Sequence, residues 1–219
     1  SQWGCSFSYA EQAEPKGLAE AFIIGESFIG ESSVALVLGD NLFHGGKLSE
    51  QLSALNKIEG VHIFAYQVKD PERYGVVEFD KSNRILSLEE KPKQPKSSFV
   101  VPGIYFYDNT VVQKAKGLRP SKRGELEITD INKSYLAEQR LSLTPLDQES
   151  AWLDTGTLES LMEASQYVQA LQSRQGILVG SPEVAAYTSK AISLKQLREI
   201  ANKLSYTPYG EAIKKVANR

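Results

Sequence analysis

The sequence predicts an α/β fold, a mixed sheet packed with helices, followed by a helical carboxyl-terminal appendage. Three observations predict it. Val34–Leu38 is an unbroken apolar run that ends at Gly39-Asp40, and Val61–Val68 is a second run, rich in β-branched and aromatic residues. Tyr74–Phe79 and Arg84–Glu89 flank the turn-rich Asp80-Lys81-Ser82-Asn83, which reads as a hairpin and makes the sheet at least partly antiparallel. Beyond Gly156 the apolar residues follow the helical period alone. The boundaries expected are an α/β core over 1–156 and a helical appendage, with oligomer contacts, over 157–219.

In chain order, Phe7–Tyr9 reads as a short strand, and Glu11–Gly17 as a loop punctuated by Pro15 and Gly17. Leu18, Phe22, Gly25 and Ile29 recur at helical spacing, predicting a helix whose free N–H groups and positive dipole end suit a phosphate or a base carbonyl. The Val34–Leu38 run reads as a strand buried on both faces, the parallel-sheet kind, with Asp40 at the carboxyl end where ligands of open α/β sheets sit. Leu48, Leu52 and Leu55 mark a short helix, and with Val61–Val68 complete a β-loop-α-β unit. Pro92 stops the hairpin after Glu90-Lys91. Phe99–Tyr107 is a strand dense in aromatics; Pro102 inside it places it at an edge or a bulge, and Gly103 leaves room for close approach to the backbone. A short helix over Asn109–Lys116, the basic loop Arg119–Gly124, a helix carrying Ile128, Ile131 and Tyr135, and a strand over Leu141–Leu146 lead to Trp152-Leu153-Asp154. In the appendage, Thr157 is an N-cap before the face Leu158, Leu161, Met162, Ser165, Val168 and Leu171. Ser193 with Gln196 fits a capping box, and a last helix covers Glu211–Val216.

Bulk properties exclude several classes. The formal net charge of -2 over 219 residues argues against an electrostatic grip on nucleic acid. No apolar run is long enough to cross a membrane, and no signal-peptide pattern is visible. The single Cys5 precludes an internal disulfide and fits a reducing, cytoplasmic location. With His44 and His62 the only histidines and no CxxC or HExxH, a zinc site or a histidine-based triad is disfavoured.

The polar residues at strand ends and in loops are Gln12, Asp40, Tyr74, Glu90, Lys91, Arg123 and Asp154. Either aspartate alone reads as a turn or cap residue, Glu90 and Lys91 as a solvated strand end, and Arg123 as a surface cation. Together they supply acids for a hard cation such as Mg²⁺, cations for phosphates and acceptors for hydroxyls, the mixture that phosphoryl or nucleotidyl transfer uses for positioning and charge neutralisation.

Six phrases in order carry a resemblance: Gly17-Leu18-Ala19-Glu20-Ala21, Leu38-Gly39-Asp40-Asn41, Asp70–Phe79, Leu88-Glu89-Glu90-Lys91-Pro92, Gly124–Asn132 and Trp152-Leu153-Asp154-Thr155-Gly156. Over nearly the whole chain they resemble the glucose-1-phosphate thymidylyltransferase (dTDP-glucose pyrophosphorylase) family of sugar nucleotidyltransferases. The resemblance implies a Rossmann-like nucleotidyltransferase sheet with a helical appendage. It implies attack by a phosphate oxygen of glucose 1-phosphate on the α-phosphorus of dTTP, with release of pyrophosphate. On the same ground, Asp40 and Asp154 hold Mg²⁺; Lys91 and Arg123 bind the sugar's phosphate side; Glu90, Tyr74, Gly75 and Gly103 form the glucose pocket; and Gln12, Gly17 and Leu18 meet the thymine. A homotetramer, feedback by downstream dTDP-sugars and a place in dTDP-rhamnose formation are also implied. Transfer of another nucleotide, or a non-catalytic sugar-nucleotide-binding fragment, are the alternative readings.

The family's amino-terminal strand and glycine-rich loop, with an Arg and a Lys for the triphosphate, do not occur in this sequence, which opens in mid-phrase at Ser1-Gln2-Trp3-Gly4. The expectation is that these 219 residues alone are inactive, and oligomeric, rearranged or accompanied by the missing piece in some form. Smaller departures from the family pattern are Pro102, His44 and the acidic Asp147-Gln148-Glu149-Ser150.

Overall fold

The computed structural model describes residues 2–55 and 57–218. They form two compact units. One spans Ala10–Asp154; the other combines residues 155–218 with residues 2–9.

The first unit is built on a mixed seven-stranded sheet of order β1-β7-β3-β6-β4-β5, with β8 pairing β3. Its strands are β1 (Val34–Val37), β3 (Val61–Gln67), β4 (Gly75–Phe79), β5 (Ile85–Glu90), β6 (Phe99–Val100), β7 (Ile104–Tyr107) and β8 (Leu141–Pro145). A two-stranded ribbon pairs β2 (Asn41–Gly45) with β9 (Ser150–Asp154). The expected hairpin is β4–β5, antiparallel, with its register shifting at Glu78/Phe79.

Several expectations about the sheet need correction. β1 is not a parallel strand buried on both faces. It pairs only with β7 among the described residues, antiparallel, and alternates half-buried Val34 and Leu36 with exposed Ala35 and Val37. Strands β1 and β3 run in the same direction, as a β-loop-α-β unit requires, but β7 lies between them and is antiparallel to both. Among the described residues the parallel pairing is that of β3 with β8. The aromatic-dense segment is two strands. Val101-Pro102-Gly103 interrupts it, because proline has no N–H for a ladder; β6 then joins β3 and β4, whereas β7 joins β1 and β3. Phe7–Tyr9 is not a strand; Phe7 and Tyr9 are exposed. The helix after Gly17 is two short pieces, α1 (Glu20–Ile24) and α2 (Glu26–Ile29), meeting at Gly25.

Helices α3 (Leu48–Ser53), α4 (Val111–Gly117) and α5 (Ile128–Ala137) complete this unit. Its main core joins Phe22 and Ile29 to Val61, Ile63 and Ala65 of β3, Tyr105 and Tyr107 of β7, Val111, Val112 and Ala115 of α4, and Ile128, Ile131 and Tyr135 of α5. The Tyr107 hydroxyl is buried and donates to Asn132 at 2.6 Å, so the polar end of this aromatic is satisfied inside the core. A smaller cluster of Val76, Val100 and Trp152, with Tyr66 and Tyr74 against it, seats the β2–β9 ribbon.

The second unit holds α6 (Leu158–Gln175), α7 (Pro182–Thr188), α8 (Leu194–Lys203) and α9 (Pro208–Ala217). Thr157 caps α6 and Ser193 with Gln196 forms a complete capping box on α8, as the sequence predicts; α7 is an addition. Leu197, Ile200, Ala201 and Ile213 form its core, and Trp3 packs there and donates its indole N–H to Glu183. Among the described residues no helix is long and apolar enough to cross a membrane.

Candidate nucleotidyl-transfer site

Pairing of β2 with β9 brings the segments that carry the two aspartates singled out from sequence side by side. Asn41 is the cross-strand partner of Asp154, and Asp40 immediately precedes it. The sequence pattern predicts only a turn at Gly39-Asp40 and gives no sign of β2. Pairing with β9 is the long-range contact that makes Asn41–Gly45 extended. Asp40 is exposed and Asp154 half-buried. Asn41 joins them to the rest of the site. Its Oδ1 accepts the Gly103 backbone N–H at 2.9 Å and the Trp152 indole N–H at 2.7 Å, while its Nδ2 donates to Asp40 Oδ1 at 2.7 Å. Gly103 is required there sterically. A Cβ at this position would stand 2.7 Å from Asn41 Oδ1 and from Leu38 Cγ and Cδ1. On the side where a Cβ would project, Gly103 meets Asn41 and Leu38.

Tyr74 closes one side of this group. Its ring packs edge-on against Trp152 at 5.2 Å, and the Arg73 guanidinium stands over the same ring, 5.3 Å from its centroid. Burial pushes the Tyr74 phenol above its ordinary pKa and the Asp154 carboxylate adds to the rise, partly offset by Arg73.

Next along the hairpin, Gly75 pairs with Glu90. Thr129, buried in the first turn of α5, donates its hydroxyl to Glu90 Oε2 at 2.5 Å. Lys91 follows at the end of β5 with positive φ; its N–H donates to the Tyr74 carbonyl at 3.0 Å and its side chain is exposed. Arg123 is fixed by carboxylates. It grips the buried Glu127 in a two-point bond, Nε at 3.1 Å and Nη2 at 2.9 Å, reaches Glu125 at 2.9 Å and lies 3.9 Å from Glu90. Ser121 Oγ donates to Glu127 at 2.6 Å. Burial raises the Glu127 pKa, but the bonds from Arg123 and Ser121, with Lys91 acting through space, outweigh it and leave the carboxyl below its usual range.

A third group holds Gln12, Gly17 and Leu18. Gln12 Nε2 donates to the Gly17 carbonyl at 3.2 Å and to Glu20 at 2.7 Å, and Leu18 is exposed. Gly17 has φ of +101° and lies against the Leu126 backbone, closer than any side chain permits. Leu126 N–H donates to Lys16 and Ala19 N–H to Leu126, so this loop is laced to the segment entering α5.

The fold therefore gathers Asp40, Asp154, Gly103 and Tyr74 around Asn41 and Trp152. It sets Gly75, Glu90 and Arg123 around Thr129 and Glu127, with Lys91 at the end of the same strand. Sequence reasoning assigned no roles to Asn41, Trp152, Thr129, Glu127 or Ser121. Four of them lie inside the phrases that carry the resemblance, which was the available signal. The acidic Asp147 segment is a turn: Asp147 accepts from Lys47 N–H at 3.1 Å and Ser150 Oγ at 2.9 Å.

Two hard carboxylates on paired strands suit a cation that keeps several waters and takes its other ligands from phosphates, as Mg²⁺ does. Among the described residues no three His, Cys, Asp or Glu side chains gather to cage a metal by themselves.

Comparisons with known proteins place the chain in a family. A family described as nucleotidyl transferase matches residues 1–170. A glucose-1-phosphate thymidylyltransferase of Mycolicibacterium smegmatis is 48% identical over 219 residues, all of this chain and 76% of that protein. One from Neisseria meningitidis is 50% identical over 212 residues, 96% of this chain and 74% of that protein. A solved Bacillus anthracis structure, described as a candidate glucose-1-phosphate thymidylyltransferase in complex with a sucrose, superposes with a TM-score of 0.70 at 38% identity, over 83% of this chain and 70% of that one. A UDP-glucose pyrophosphorylase with UDP-glucose gives 0.67 at 26% identity, over 76% of this chain and 67% of that one. The chain belongs to the nucleotidyl transferase family.

Proposed function

We propose that the protein transfers the thymidylyl group of dTTP to glucose 1-phosphate, giving dTDP-glucose and pyrophosphate. The observation that carries this reading is the β2–β9 pair, which sets Asn41, next to Asp40, opposite Asp154, together with the acceptors and cations at Tyr74, Glu90 and Arg123. The relatives near half identity bear the name of that activity.

The sugar phosphate carries the nucleophile, so the protein's work is to align two anions and relieve their repulsion. Asp40 and Asp154 would hold Mg²⁺, whose charge offsets the phosphates. Lys91 and Arg123 neutralise the sugar's phosphate. Glu90, held by Thr129, accepts from glucose hydroxyls, and Tyr74, Gly75 and Gly103 shape that side. Gln12, with Gly17 and Leu18, meets the thymine edge. The protein is further proposed to be cytoplasmic and to act as a homotetramer. The exposed Leu158, Leu161 and Met162 on α6 offer apolar surface for subunit contact.

The test is pyrophosphate release by the full-length protein from glucose 1-phosphate with dTTP, UTP, ATP and CTP in parallel. Preferred use of dTTP supports the reading. Preferred use of UTP moves the protein to the activity named for the UDP-glucose pyrophosphorylase neighbour, and absence of release with all four overturns it.

A further inference from the structure

We infer that Asn41 is the positioning residue of the Asp40 carboxylate, and that it locks this group to the Gly103 turn and to Trp152; the inference rests on the reading of Asp40 given above. The chemistry of the amide leaves one assignment. Two N–H donors, the Gly103 backbone and the Trp152 indole, converge on one terminal atom of Asn41. An atom receiving two donated hydrogens is the carbonyl oxygen, so the other terminal atom is the NH₂ group, which can only donate. It lies 2.7 Å from Asp40 Oδ1.

Each end of the side chain therefore fixes the other. Two donors on the oxygen polarise the amide and strengthen its donation to the carboxylate, as hydrogen bonds in a chain do. The backbone closes the same loop: Leu38 N–H donates to the Gly103 carbonyl at 2.9 Å, and Asn41 N–H to the Leu38 carbonyl at 3.2 Å. Gly103 also lacks the Cβ that would push Asn41 Oδ1 away. Asp40 sits on an exposed turn. Asn41 borrows rigidity from Trp152, which is buried between Tyr66 and Tyr74. Residues that orient a metal-binding carboxylate typically matter by about 10–100-fold in affinity or activity.

Asn41→Asp separates positioning from mere structural support. Its carboxylate still accepts from Gly103 and Trp152 but cannot donate to Asp40. The full-length Asn41→Asp protein, which sets a second carboxylate against Asp40, is expected to unfold cooperatively with its Trp152 indole ¹⁵N–¹H resonance moved downfield by the charged acceptor, while its kcat falls about 10–100-fold with KM for glucose 1-phosphate little changed. Turnover within twofold of the parent would overturn the inference, because the acceptor role alone would then suffice. A second arm needs no activity or metal. Asp40→Asn weakens the acceptor facing Asn41 Nδ2 and should shift the Trp152 indole resonance, while leaving that of Trp3 in place; an unmoved Trp152 resonance overturns the coupling. If the parent transfers no nucleotide, the proposed function fails and the indole arm still decides the inference.

Discussion

Thr129→Val tests how the glucose side of the site is held. Valine has nearly the shape of threonine, so the change removes a donor without opening a cavity. The bond lost runs from a buried hydroxyl to the Glu90 carboxylate at 2.5 Å. Hydrogen bonds to charged groups contribute about 1.5–3 kcal/mol. The Glu90 side chain is 22% exposed and Arg123 lies 3.9 Å away, so water and the guanidinium recover part of that. The loss should therefore fall near the lower end, about 1–1.5 kcal/mol, which for a chain of this size lowers the melting temperature by about 3 °C. The same energy withdrawn from the orientation of Glu90 raises KM for glucose 1-phosphate about fivefold, with KM for dTTP unchanged. Thr129→Ser keeps the hydroxyl and should restore KM. Initial rates over both substrates, with thermal unfolding of the three proteins, decide it. A parental KM in Thr129→Val, or a defect in Thr129→Ser as large as in Thr129→Val, would refute the reasoning.

Further expectations follow from the same geometry. Gly103→Ala sets a Cβ 2.7 Å from Leu38 and Asn41, so it should destabilise by about 1–3 kcal/mol in urea unfolding; adding Leu38→Ala removes part of the clash, and the double change should cost less than the sum. Asp108 accepts from Gly60, Thr110, Tyr135 and Arg140. Burial raises its pKa, but those bonds outweigh it and the net shift is downward. Its stabilisation is thus complete above the unfolded value of about 3.9 and disappears as pH falls through the lower folded value. Stability measured from pH 6 to 2.5 should accordingly fall less steeply in Asp108→Asn than in the parent. Ser193→Ala removes the cap of α8 and should cost about 1 kcal/mol, read as a lower melting temperature with kcat unchanged.

Local chemistry made much of the fold legible. The β4–β5 hairpin follows from Asp80-Lys81-Ser82-Asn83 between alternating runs, and Asp80 indeed closes it by accepting from Ser82 and Arg84 N–H at 2.9 and 3.0 Å. The Ser193–Gln196 and Thr157 caps are likewise decided within four residues. Of the site, the residue types were legible one by one and their phrases pointed to a family. What Asn41 and Thr129 do was not, because each acts through a partner distant in the chain; Trp152 reaches Asn41 across 111 positions.

By itself, then, the sequence determined the β4–β5 hairpin, the capped helices of the carboxyl-terminal part and the charged inventory of the site, since these depend on periodicity, turn chemistry and capping within a few residues. Only the tertiary structure decided that β7 enters between β1 and β3, that the chain after Asp40 becomes β2 by pairing with β9, and that residues 2–9 join the carboxyl-terminal helices. Those outcomes depend on which distant segment supplies the missing hydrogen-bond partners and apolar cover, and no local pattern encodes that choice.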